Sequence, residues 1–134
     1  MAITHTQVQV EWGGSDTQSV SAGGDEESDD IELDVTCFSA RIMVKADNAS
    51  TPASGDEVEV RWVESMGDPD ADPDSTDEFT VNGVLLGILD TNADDPAIES
   101  FQLPIPQDKA KLRCVSRAAS NSITVSAEIV EQRG

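Results

Sequence analysis

The chain has 134 residues, 37% of them apolar and 4% aromatic, with no tyrosine. That length corresponds to one domain, 1–134, and is enough to bury about two thirds of the unfolded surface without help from a metal or a disulfide. Asp and Glu number 27 against 8 Lys and Arg, a formal net charge of −19; such a surface repels DNA, RNA and anionic membranes, so neither nucleic acid nor a membrane is expected as a partner.

The first residues, MAITHTQVQV, contain no basic stretch followed by an apolar one, so no signal peptide is expected. Thr6, Val8, Val10 and Trp12 alternate with Gln7, Gln9 and Glu11, which predicts a strand with one wet face that ends at Gly13-Gly14. A short edge strand is expected near Thr17–Ser21, followed by an exposed acidic loop over 23–30. Ile31, Leu33 and Val35, with Cys37 undecided, form an odd-numbered apolar set. From Phe38 the set becomes even: Phe38, Ala40, Ile42, Val44 and Ala46, with Ser39, Arg41, Met43 and Lys45 opposite. Neighbouring side chains of a strand face opposite ways, so the switch requires a bulge, a corner or a change of sheet, placed at Thr36–Cys37. The stretch 35–47 lacks Gly and Pro and reads as a central strand.

After the turn-rich loop 48–56, Val58, Val60 and Trp62 alternate with Glu57, Glu59 and Arg61, a strand expected to pair antiparallel with the central one. Residues 66–77 read as coil. Phe79 and Val81 begin a further strand, and Asn82-Gly83 is a hairpin or bulge signal. Val84–Leu89 is apolar on both faces and fits a buried strand or a short helix; Gly87 and the β-rich context favour the strand. An acidic turn covers 90–96. Phe101, Leu103 and Ile105 then alternate with residues that include Pro104 and Pro106, so this strand belongs at an edge. Ala110, Leu112 and Cys114, then Ile123, Val125, Ala127 and Ile129, read as a C-terminal hairpin. No long helical pattern and no internal repeat occurs. Eight or nine short strands predict an all-β chain, a single antiparallel β-sandwich of jelly-roll kind or, alternatively, of immunoglobulin-like kind.

Little in the sequence suggests chemistry. Asp68, Asp70, Asp72 and Asp74 alternate as calcium ligands can, but Pro73 stands where a calcium loop needs Gly and Phe79 where it needs the closing Glu. Asp90, Asn92 and Asp94 fail the same test at Asp95 and Phe101. The one histidine, His5, has no evident partner, and Cys37 and Cys114 have neither zinc spacing nor a His nearby. No enzyme, metal or cofactor is therefore expected. The cations are more suggestive. Lys109, Lys111, Arg113 and Arg117 lie on one side of one strand, and Arg41 and Lys45 on one side of another, a local reversal of sign in an acidic chain. They either pair across strands with Glu57, Glu59 or Glu128, or form a contact face for an acidic neighbour, with Val63, Val115 and Val130 adding apolar contact. Three explanations fit the acidity: solvation in high salt, cation binding, or a basic partner. Acids spread along the whole chain with few Lys among them favour the first.

The tracts EVEVRW (57–62), LDTNADDP (89–96), FQLP (101–104) and SNSITVS (120–126) resemble small all-β structural proteins of tailed viruses, a likeness spanning residues 57–130. The acidic style is similar to that of proteins from salt-loving archaea. The resemblance implies a jelly-roll or related sandwich that decorates the capsid surface of a virion. It implies the major capsid protein as partner and a homo-oligomer, with a trimer favoured; it carries over no functional residue. A tail or head–tail connector protein is the nearest variant. A carbohydrate-binding or calcium-dependent adhesion module is the rival from another class, and it requires exposed aromatic side chains on a binding face.

Overall fold

A computed structural model describes residues 2–64, 83–104 and 109–134. The strand expected at Phe79–Val81, the Asp68–Asp74 series and Ile105 lie outside them. The described residues form strands and turns, with no helix among them. The strands are β1 (Thr4–Gln9), β2 (Gln18–Val20), β3 (Asp25–Glu27), β4 (Cys37–Asn48), β5 (Glu57–Glu64), β6 (Val84–Asp90), β7 (Ala97–Gln102), β8 (Ala110–Ser116) and β9 (Ile123–Arg133).

Two antiparallel sheets pack face to face. One runs β1-β9-β4-β7, with β2 also on β9; the other runs β3-β8-β5-β6. Since β4 occupies one side of β9 along its whole length, β1 and β2 share the other side and make one interrupted edge. The interruption is a tight excursion closed by the Trp12–Ser15 bridge. Gly13 and Gly14 supply the positive φ it needs, and their N–H groups donate to the Asp29 carboxylate at 2.8 and 3.1 Å. The pairings nest: β1/β2 with β9, β3 with β8, β4 with β7, β5 with β6. A long antiparallel ribbon wound into two sheets in this way is a jelly roll. An immunoglobulin-like order, in which the first two strands are sheet neighbours, is excluded.

Alternation decides which side chains meet between the sheets. Ala40, Ile42, Val44 and Ala46 of β4 and Ile123, Val125, Ala127 and Ile129 of β9 face Val58, Val60 and Trp62 of β5 and Ala110, Leu112 and Cys114 of β8 in one core. Each large side chain taken out of water there contributes roughly 1.5–3 kcal/mol. β4 is central, as its composition suggested.

Several expectations are corrected. The stretch from Ile31 to Thr36 is not a strand: Ile31 makes one bridge to Ala110, Val35 is fully exposed, and Cys37 N–H donates to Asp34 C=O at 2.9 Å to close a turn. Here the chain leaves one sheet for the other, which is why the buried parity changes. The bulge falls between Cys37 and Ser39, so Phe38 stands outside the ladder and is exposed, not in the core. The acidic stretch over 23–30 contains edge strand β3 and a buried Ser28. β5 joins the opposite sheet from β4, and β8 and β9 lie in different sheets and form no hairpin. β6 is an edge strand whose Val84, Leu85 and Ile88 are exposed; only Leu89 is fully buried. Val63, expected outside, is buried.

Candidate functional site

The two outer faces of the sandwich are finished differently. On the β3-β8-β5-β6 sheet the cations of the β8 stripe are met by acids from both neighbouring strands. Arg113 lies 2.8 Å from Asp25, and Lys111 lies 3.9 Å from Glu27 and 3.8 Å from Asp30. Arg117, just past the strand, reaches Glu57 at 3.3 Å and Glu59 at 3.2 Å. The register sets Arg61 directly opposite Arg113, a repulsive pair in isolation. Glu59 relieves it at 2.9 Å from Arg61. The hydrogen bond from Arg61, followed by that from Arg117, holds the Glu59 carboxyl below the usual range. Lys109 precedes this strand and also has partners. Cross-strand pairing thus occupies the stripe, through Asp25, Glu27 and Asp30 as well as the expected Glu57 and Glu59; Glu128 lies on the other sheet.

Arg41 and Lys45 lie on that other sheet, on the outer side of β4, with Met43 between them. All three are exposed. Among the described residues neither cation forms an ion pair; Arg41 makes one long contact, 3.5 Å, to the Gln102 side chain. Met43 stands opposite Ser100 of β7 and Glu128 of β9. Ile98, opposite Lys45, and Val130, opposite Arg41, are its diagonal neighbours. Diagonal side chains lie about 7–8 Å apart, within reach of long residues. The exposed Ile98, Met43 and Val130 therefore make an oblique apolar stripe across three strands, with a cation on either side. Two depressions, of about 550 and 330 Å³, meet at Met43. The six cations named from sequence thus fall into two groups on opposite faces.

The other polar clusters among the described residues make local structural contacts. At the end of the sandwich where β4 passes to β5, β6 to β7 and β8 to β9, the Asp56 carboxylate gathers three donors. They are the Asn121 side-chain amide at 2.8 Å, the Asn48 amide at 2.9 Å and the Ala53 N–H at 3.0 Å. The Ala53 N–H, then Asn121 and Asn48, hold the Asp56 carboxyl below its ordinary range. Asp90 accepts the N–H groups of Asn92 and Ala93 within its own turn, and Asp95 accepts that of Asn48 at the end of β4, which ties this loop to the next. No group of three His, Cys, Asp or Glu able to hold a metal occurs among the described residues. At the opposite end Glu131 is wholly buried and binds Arg133 at 2.8 Å and the Asp34 N–H at 3.0 Å. Burial pushes its carboxyl up, but the bonds from Arg133 and Asp34 outweigh this and bring it below normal. Both cysteines are free. Burial pushes the Cys114 thiol up to about 12. His5 is exposed and contacts the Gln132 side chain. Both tryptophans are buried, so neither offers a stacking platform.

No protein-family model matches this sequence, and no curated protein matches it. Arg41, Lys45 and Val130 were legible as exposed from sequence, whereas Ile98 and the position of Met43 between them were not. The available signal was a methionine at an outward position between two cations.

Proposed function

We propose that this protein is a non-enzymatic virion structural protein that decorates and stabilises a capsid surface, bound to the major capsid protein and assembled as a homo-oligomer, most simply a trimer. The observation that carries this reading is that the β8 cations are engaged by acids of their own chain, whereas Arg41 and Lys45, flanking the exposed stripe at Met43, form no ion pair among the described residues. A jelly roll with exposed apolar side chains on an outer face works by covering area, since excluding water from apolar surface is favourable whether the partner is another copy or a lattice subunit. The strongly acidic remainder keeps decorated particles hydrated and apart in salt. Co-sedimentation with empty shells of the same virus's major capsid protein tests the reading. Saturable binding at a fixed ratio of copies to shell subunits is expected, and a protein left in the supernatant at every salt concentration would overturn it.

A further inference from the structure

We draw no further inference here: the strongest candidate, the groove and exposed apolar stripe centred on Met43 on the outer face of the β1-β9-β4-β7 sheet, carries none, because Asp47 and Glu128 share that face with Arg41 and Lys45 and balance their charge, so nothing in the structure shows what covers it.

Discussion

Asp56 shows how much one carboxylate can organise. It accepts hydrogen bonds from residues 48, 53 and 121, and its own C=O receives the Thr91 hydroxyl at 2.8 Å, so three loop connections converge on it. Asp56→Asn removes the negative charge that strengthens these three hydrogen bonds and leaves a single neutral carbonyl oxygen to accept them. It is expected to lower the melting temperature more than loss of any single β8 cation. The pH dependence has a definite sign. The folded carboxyl lies below its unfolded value of about 3.9, so its contribution is complete above that value and is lost as pH falls through the folded one. The gap in melting temperature between wild type and Asp56→Asn should be constant from about pH 6 to 8 and should close below about pH 4. A gap that widens in acid would contradict this. The β8 ladder predicts less: Lys111→Glu with Arg113→Glu should cost about 1–2 kcal/mol in denaturant unfolding, as expected of part-exposed ion pairs. The thiols offer a further check. Cys114 is fully buried, so alkylation in native buffer should reach Cys37 first and Cys114 only on unfolding.

Between elements, β6 and β7 approach one another where the Phe101 ring lies against Gly87. A Cβ on Gly87 would lie 2.3 Å from the Phe101 ring, so this ring packs on bare backbone. Gly87→Ala should destabilise by about 1–3 kcal/mol, and Phe101→Leu should relieve part of that loss, a coupling readable in a double-mutant cycle. In the core, Ile42 of β4 stands directly opposite Ile129 of β9, both fully buried, and Ile42→Ala should cost about 2–5 kcal/mol. Strands with one wet face were legible from sequence: β4, β5, β8 and β9 each alternate, and the core residues follow from parity. What was not legible is which strands share a sheet. The β8–β9 hairpin and the β4–β5 pairing were reasonable on proximity along the chain, but in a jelly roll a neighbour in sequence usually crosses to the other sheet. Long-range pairing leaves no local mark. The Val84–Leu89 run misled for a related reason: composition signals burial, whereas exposure depends on a strand's place in its sheet, and β6 is at an edge. At the candidate face, the register that joins Ile98 to Met43 spans residues far apart in the chain, so the stripe could not be read from either segment alone.

For the whole molecule, charge and fold have separate consequences. The net charge of −19 opposes compaction as well as association, and both costs fall as salt screens them. If salt adaptation explains the acidity, the melting temperature should climb steadily with molar KCl, and a midpoint indifferent to salt would reject it. The fold contributes a two-sheet body whose outer faces differ in how their cations are engaged, and the proposed function rests on that difference. Electron cryo-microscopy of shells incubated with the protein tests decoration most directly. The account predicts regularly spaced density for the sandwich on the outside of the shell. Bare shells, or particles that carry the protein only where head meets tail, would contradict it.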